Sequence, residues 1–331
     1  MASHNLTNPS IRGVGAPMDG LSALPWTARW CQGTLPCLTI VLPLPYAGLI
    51  EYRGMNTRIS VLPMIIALTL TLSIHGSAQL APPNDLGVRL GHIHLAVKDV
   101  EAQKQFWTSA MGGTLVTNGP LSMIQFPGVY IMLRQADVSG PPAGSIVDHF
   151  GFVLKDLPSA RARWKAANIK YDVGETNPNQ GYVYAPDGIR VEVFGDPSLP
   201  GTISMDHIHM YPMAADILAI QTWYAKVLGG LPGKRQRVAR PGLIDCDYFH
   251  RFNLSFSSSD MKLAPTKGRS LDHLGFDVKN LDEFAKKLEA QGIKLDSPPR
   301  QIPNSKTKVA FFTDPWGTYI ELTENLAPPE S

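Results

Sequence analysis

The sequence predicts an α+β fold of four βαβββ units, arranged as two tandem domains with cup-shaped mixed sheets. Two observations support this fold class. The chain after Ala78 contains two similar halves, in which the same motifs follow one another in the same order. Within each half, a strand, an amphipathic helix and short strands separated by turn residues occur twice. One such unit leaves a face of its sheet open, so two units must pair to bury the helical side and enclose a cup.

The two halves correspond at four paired motifs. These are His92-Ile-His94 with His207-Ile-His209, Phe106-Trp107 with Trp223-Tyr224, Asp148-His149 with Asp272-His273, and Pro186 to Glu192 with Pro315 to Glu321. Each aromatic pair stands one helical turn before a Gly-Gly pair, which is typical of a helix that ends at glycine. We expect the domains at residues 88–198 and 203–325. The pattern leaves open whether the units pair within a half or across the halves.

The first 78 residues form a separate part of the chain. Residues 59–74 carry no charge, follow Arg58 and precede the small residues Gly76 and Ala78. This order is typical of a secretory signal peptide, which we predict at residues 55–78 with cleavage after Ala78. Residues 1–54 show no sustained hydrophobic period and are interpreted as a mis-annotated or disordered extension. We expect a periplasmic or secreted protein without a stable membrane span after cleavage, or a membrane-anchored one if Met1 is the true start.

Composition restricts the class of partner. The formal net charge is +2, with 30 basic and 28 acidic side chains, so the chain has no excess of positive charge to hold nucleic acid. We therefore expect no nucleic acid and a small molecule as the partner. Cys246 is the only cysteine beyond the predicted cleavage point, which excludes an intramolecular disulfide there. The oligomeric state is open.

Six of the nine histidines lie in the repeated strand motifs. Residues two apart on a strand share a face, so His92 and His94 point the same way. Two imidazoles and one carboxylate can hold a divalent metal ion (Fe, Mn, Zn or Ni) and leave coordination positions open. Glu192 and Glu321 lie in apolar strands, where a metal would compensate the cost of a buried carboxylate. The predicted metal ligands are His92, His149 and Glu192 in the first half, and His207, His273 and Glu321 in the second.

Four further residues are candidates for catalytic roles. His94 and His209 follow the first ligand by two positions, and three roles stay open for them: orientation of the ligands, general base, or packing. Arg190 and Tyr319 stand two residues before Glu192 and Glu321 and share their face. Each could contact an anion or a hydroxyl of a substrate, or line the sheet.

At these motifs the chain resembles the vicinal oxygen chelate superfamily, also called the glyoxalase/bleomycin-resistance/dioxygenase family, over residues 88–325. The resemblance implies a divalent metal that is chelated by two adjacent oxygens of a substrate or intermediate. It assigns the first ligand to His92 and His207 rather than to His94 and His209, and the others to the His and Glu residues already named. Reactions in the family include isomerisation, epimerisation, ring cleavage and epoxide opening.

Two departures from the family's patterns narrow the expected reaction. A glyoxalase I would have a further carboxylate where Met132 stands, and Phe252–Phe256 carries no acid. Extradiol dioxygenases have a Tyr, preceded by a His, before the last Glu. Tyr182 matches that Tyr in the first half, but Phe311 stands at this position in the second half, and neither half has the preceding His.

We expect an exported metalloprotein with lyase, isomerase or oxygenase chemistry. An extradiol-type ring-cleaving dioxygenase and a non-catalytic small-molecule binding or sequestration protein of the bleomycin-resistance type are the alternatives.

Overall fold

A computed structural model describes residues 80–237 and 241–328. The predicted extension at residues 1–54 and the predicted signal peptide at residues 55–78 lie outside these residues. Within the described part, no helix has the length and apolar character needed to cross a membrane.

The fold class is confirmed, since four βαβββ units follow one another along the chain. The first two units comprise β1 Val88–Val97, α1 Val100–Gln105, β2 Thr114–Asn118, β3 Leu121–Phe126, β4 Val129–Gln135, β5 Val147–Leu154, α2 Leu157–Ala166, β6 Tyr171–Val173, β7 Gln180–Ala185 and β8 Ile189–Gly195. The last two comprise β9 Ile203–Met210, α3 Ile217–Leu228, β10 Leu231–Gln236, β11 Leu243–Phe249, β12 Phe252–Phe256, β13 Leu271–Val278, α4 Leu281–Ala290, β14 Leu295–Gln301, β15 Lys308–Thr313 and β16 Tyr319–Glu324.

Polar side chains and glycines set the ends of the helices. The carboxylate of Asp99 accepts hydrogen bonds from the backbone amides of Glu101 and Ala102 at the start of α1, and Asp156 accepts one from Ser159 at the start of α2. Helix α1 continues as a π-helical turn, Phe106–Ala110. Helix α3 ends at Gly229, whose φ of 76° is in the left-handed region that the Gly-Gly pattern predicts. Short 3₁₀ turns occupy Pro186–Gly188 and Ala214–Asp216.

The units pair across the two halves of the chain. Sheet 1 has the order β14-β15-β16-β13-β1-β4-β3-β2 and therefore joins the first unit to the fourth. Sheet 2 has the order β10-β11-β12-β9-β5-β8-β7-β6 and joins the second unit to the third. Each sheet is mixed: β1/β4, β13/β16, β5/β8 and β9/β12 are parallel pairs, whereas the central pairs β1/β13 and β5/β9 are antiparallel. The sequence leaves open whether the units pair within a half or across the halves, and the topology shows that they pair across the halves.

The helical sides of the two sheets share one hydrophobic core. Trp107, from the first unit, stacks on Phe150 of sheet 2 with ring centroids 5.8 Å apart, and Phe126 contacts Phe152 at 4.9 Å. A second, smaller cluster of Leu80, Met123, Tyr130, Met132 and Leu326 covers part of the other face of sheet 1. Burial of the alternate strand residues in the core therefore directs the intervening histidines to the open face of each sheet.

Asp247 on β11 gives a testable pH dependence of stability. Its side chain is buried, neither carboxylate oxygen has a hydrogen-bond partner, and burial raises its pKa to about 7. The unfolded chain releases this proton above about pH 4, whereas the folded chain keeps it, so stability falls as pH rises from about 4 to 7. We expect Asp247→Asn to lose less stability than wild type between about pH 5 and pH 8 in urea unfolding. The same loss in both proteins would contradict this origin of the pH dependence.

Candidate metal centres

Centre 1 consists of His92, His273 and Glu321, with His94 beside them, on the open face of sheet 1. These residues come from the adjacent strands β1, β13 and β16. The Oε2 atom of Glu321 lies 3.1 Å from Nε2 of His92 and 2.7 Å from Nε2 of His273. The two Nε2 atoms are 3.4 Å apart. Three potential metal donors therefore converge on one point.

Centre 2 repeats this arrangement in sheet 2 with His149, Glu192 and His207, and with His209 beside them. The Oε2 atom of Glu192 lies 3.1 Å from Nε2 of His149 and 3.0 Å from Nε2 of His207. In both centres, the donor atoms of the four residues all lie within 4.8 Å of one another. All six predicted ligands are thus found in two groups, each of two imidazoles and one carboxylate.

The predicted assignment of one complete ligand set to each half is wrong. His92 lies with His273 and Glu321, not with His149 and Glu192, and His207 lies with the latter pair. The reason is the antiparallel pairing of the first strand of each half with a strand of the other half, β1 with β13 and β9 with β5. Neither half therefore brings together a complete set.

Two glycines leave the space that these imidazoles occupy. Gly275 is paired with His92 across the β1/β13 ladder, and Gly151 is paired with His207 across β5/β9. A Cβ atom at either glycine would overlap the facing imidazole ring, which is much closer than van der Waals contact allows. The glycine of the Asp-His-x-Gly-Phe motif is therefore required because a histidine of the other half packs its ring against the glycine backbone, where a side chain would not fit.

Carboxylates orient three of the four ligand imidazoles. Nδ1 of His273 lies 2.7 Å from Oδ2 of Asp272, Nδ1 of His149 lies 2.6 Å from Oδ1 of Asp148, and Nδ1 of His207 lies 2.8 Å from Oδ2 of Asp206. Pairing of the outer nitrogen with a carboxylate is a common feature of histidines that bind metal. Nδ1 of His92, which follows Gly91, has no such partner.

This pattern fits a bound cation. Both ring nitrogens of His273 face carboxylate oxygens, and so do those of His149 and His207. A neutral imidazole has only one N–H, so its second nitrogen would direct a lone pair at a carboxylate. Either a proton or a metal ion must lie between them. The donor set of two nitrogens and one oxygen suits a divalent transition metal or zinc.

Without a metal, the charges of each centre stabilise one another. Burial would raise the pKa of Glu321, but the imidazoles of His92 and His273 hold its pKa well below the usual carboxyl value. The pKa of Glu192 is lowered in the same way against burial, by hydrogen bonds from His149 and His207. Burial opposes protonation of His207 and His273, yet their carboxylate partners raise the pKa of both.

His94 and His209 lie beside the ligands as their shared strand face predicts. The ring centroid of His94 is 4.4 Å from that of His273, and that of His209 is 4.8 Å from that of His149. Burial lowers the pKa of both well below the usual value, and neighbouring imidazoles lower it further. Both rings are therefore neutral. Whether they act in catalysis stays a prediction.

Arg190 and Tyr319 lie at the edges of different centres. The guanidinium of Arg190 donates to Asp148 and lies over the ring of Tyr182, 4.6 Å from its centroid. Arg190 therefore supports the carboxylate that orients His149. The ring of Tyr319 lies 5.6 Å from that of His273, and burial and then nearby acids raise its pKa to about 12. Substrate contact by either residue stays a prediction.

A cavity of about 640 Å³ opens onto centre 1. His94, His273, Glu321 and Tyr319 contribute to its wall, together with apolar side chains such as Met132. Three basic residues also line it: Arg134, Lys267 and Arg300. At centre 2, by contrast, Gln180 donates a 2.7 Å hydrogen bond to Oε1 of Glu192, and Tyr211 stacks on His209 at 4.7 Å. The two centres thus share their donors but differ in their surroundings.

A sequence profile of the Glyoxalase/Bleomycin resistance protein/Dioxygenase superfamily matches residues 89–193 and again residues 205–322. The chain belongs to this superfamily. No curated protein matches it significantly in sequence. The resemblance seen in the strand motifs is confirmed, together with the tandem organisation.

Solved structures of superfamily proteins share the fold. A point mutant of glyoxalase I from Zea mays is 17% identical, with a TM-score of 0.58 over 72% of this chain and 94% of that one. A candidate dioxygenase from Bacillus subtilis is 14% identical, with a TM-score of 0.52 over 76% of this chain and 87% of that one. At these identities the similarity establishes the fold alone.

Several residues around the two centres were not predicted from the sequence. Asp148, Asp206 and Asp272 each stand immediately before a ligand histidine, and this repeated Asp-His pair was an available signal. The basic residues around the cavity had no such signal, because Arg134, Lys267 and Arg300 come from separate parts of the chain. Only the sheet topology brings them to one opening.

We expect Gly275→Ala to remove metal binding at centre 1 alone, because the new methyl group would displace the imidazole of His92. Elemental analysis should then show one bound ion fewer than in wild type. Gly201→Ala is the matched control, since the nearest heavy atom to its Cβ position is 3.8 Å away. Wild-type metal content in Gly275→Ala would show that His92 is not required.

Proposed function

We propose that the protein is an exported metalloenzyme that binds a divalent ion at centre 1 and uses it to chelate two adjacent oxygens of a small anionic molecule. The observation that carries the proposal is the position of Glu321 between the Nε2 atoms of His92 and His273, at 3.1 and 2.7 Å. This set is buried and opens onto a cavity of small-molecule size. Membership of the superfamily supports the same class of chemistry.

The roles of the residues at centre 1 follow from their contacts. His92, His273 and Glu321 would hold the ion, and Asp272 keeps His273 in the orientation that directs Nε2 inward. A bound divalent ion supplies Lewis-acid polarisation of the substrate oxygens. Tyr319 stays protonated at neutral pH and can donate a hydrogen bond into the cavity. These features are compatible with lyase, isomerase or oxygenase chemistry.

Charge around the cavity favours an anionic substrate. Arg134, Lys267 and Arg300 line it. The acids in its wall are already engaged: Asp272 with His273 and, at 3.7 Å, with Arg134, and Glu321 with both ligand imidazoles. Cations at the rim of a cleft attract anions and lower their dissociation constants. Phe311 and Tyr319, stacked with centroids 5.3 Å apart, offer an apolar wall for the rest of the molecule.

Ring cleavage at centre 2 is a second candidate function. Tyr182, the residue that matches the extradiol tyrosine, has its ring 5.5 Å from that of His149, whereas Phe311 takes the same place beside His273. Oxygen uptake with catechols separates the candidates, since ring cleavage should be lost in Tyr182→Phe and kept in Phe311→Ala. Tight binding of a ligand without turnover would instead favour the sequestration alternative.

Export follows from the predicted signal peptide at residues 55–78. Leu80, two residues beyond the predicted cleavage point, is buried against the small apolar cluster of sheet 1. The apolar cluster of sheet 1 thus extends to within two residues of the predicted cleavage point. Intact-mass analysis of protein recovered outside the cytoplasm tests this, and a mature chain that does not start at Gln79 would overturn the predicted cleavage site.

We expect the chain to bind two divalent ions, one at each centre, and paired variants to show how the ligands group. His92→Ala/Glu321→Gln should keep one ion, because both residues belong to centre 1. His92→Ala/Glu192→Gln should bind none, because it damages both centres. Elemental analysis of the purified proteins measures both, with Glu101→Gln as an exposed control. If the first double variant bound no ion and the second kept one, the ligands would be grouped by halves. A wild-type protein without metal would overturn the proposed function.

We expect the basic residues at centre 1 to favour anions. Lys267→Ala/Arg300→Ala in the metal-loaded protein should weaken binding of oxalate, a dianion with adjacent oxygens, by up to about thirtyfold, because each of the two exposed charges contributes about 1 kcal/mol or less. Binding of neutral catechol should change little. Lys279→Ala/Lys306→Ala, at a separate cavity, is the matched control. Titration calorimetry measures all six affinities, those of the three proteins for the two ligands, and equal effects on both ligands would contradict selection by charge.

A further inference from the structure

His94 is the residue of centre 1 whose two ring nitrogens both lack a hydrogen-bond partner. Both nitrogens are also shielded from solvent. An unpaired polar nitrogen in such a position costs about 1–3 kcal/mol, so each one calls for a physical explanation. Its ring borders the cavity, and its donor atom lies within 4.8 Å of those of His92, His273 and Glu321.

The register of sheet 1 places His94 beside Met132. His94 is paired with Met132 across the parallel β1/β4 ladder, so the two side chains lie next to each other on the open face. The thioether of Met132 is a soft and weak donor, whereas the imidazole beside it suits a divalent ion such as Zn, Fe or Ni.

The corresponding histidine of centre 2 is restrained. Nε2 of His209 lies 2.9 Å from Oγ of Ser257 and its ring stacks on Tyr211, so that only its Nδ1 lacks a partner. Glu192 is restrained as well, because Gln180 donates to its second oxygen. The residue in the place of Gln180 at centre 1 is Val309, which offers Glu321 no hydrogen bond.

We propose that His94 is the fourth protein ligand of centre 1, which then has three imidazoles and one carboxylate, whereas centre 2 has three ligands. The inference rests on the proposed function and adds to it, because four protein donors leave a six-coordinate ion two positions for the two oxygens of a substrate.

Cobalt(II) titration tests the assignment in the full chain. The parent carries Glu192→Gln, so that only centre 1 is measured, and visible absorption reports the number and type of ligands. We expect His94→Ala in this parent to keep one cobalt per chain, to bind it about 10- to 100-fold more weakly and to change the d–d spectrum. In the reciprocal parent with Glu321→Gln, His209→Ala should alter neither the affinity nor the spectrum.

A second variant guards against a general loss of structure. Because His94 borders the cavity, added imidazole should restore the parent spectrum in His94→Gly. A parent that binds no cobalt would overturn the proposed function and the ligand assignment together. A parent that binds cobalt, with unchanged affinity and spectrum in His94→Ala, would overturn the role of His94 alone. An equal effect of His209→Ala would overturn the difference between the centres.

Discussion

The site depends on the antiparallel pairing of β1 with β13 and of β5 with β9. Each pairing sets a histidine of one half against a glycine and a histidine of the other, and the parallel neighbour β16 or β8 adds the glutamate. A buried carboxylate between two imidazoles is stable only if positive charge accompanies it, as protons or as a metal ion. The pairing therefore fixes both the geometry and the charge requirement of each centre.

Duplicated ligands do not give duplicated sites. Centre 1 faces a cavity with three basic residues, and His94 stands free beside it. Centre 2 has the same donors, but Gln180, Ser257 and Arg190 engage the groups around it. The two centres thus differ in the residues that surround the ligands and not in the ligands themselves. Centre 1 is open to a small molecule, whereas internal hydrogen bonds restrain centre 2.

Much of the fold was accessible from the sequence because its signals are local. Alternation about His92 and His149 predicts strands, Gly-Gly pairs predict helix ends, and the repeated motifs predict four units, all of which are found. The six ligand residues could be selected for the same reason. Their grouping could not, since the Asp-His-x-Gly-Phe motif is identical in both halves and either pairing satisfies it. The choice is made by long-range packing, for example of Trp107 on Phe150, which has no signature within a single strand.

The pairing of strands across the two halves also determines which centre can form first. The parts of sheet 2 are continuous from β5 to β12, so the residues of centre 2 are all present once that stretch has been made. Centre 1 instead joins His92 to Glu321, 229 positions later. Contacts so distant in sequence form slowly. Centre 1 can therefore hold an ion only when β1 and β16, at opposite ends of the described chain, have come together, so the metal supply at the place of folding would decide which element it carries.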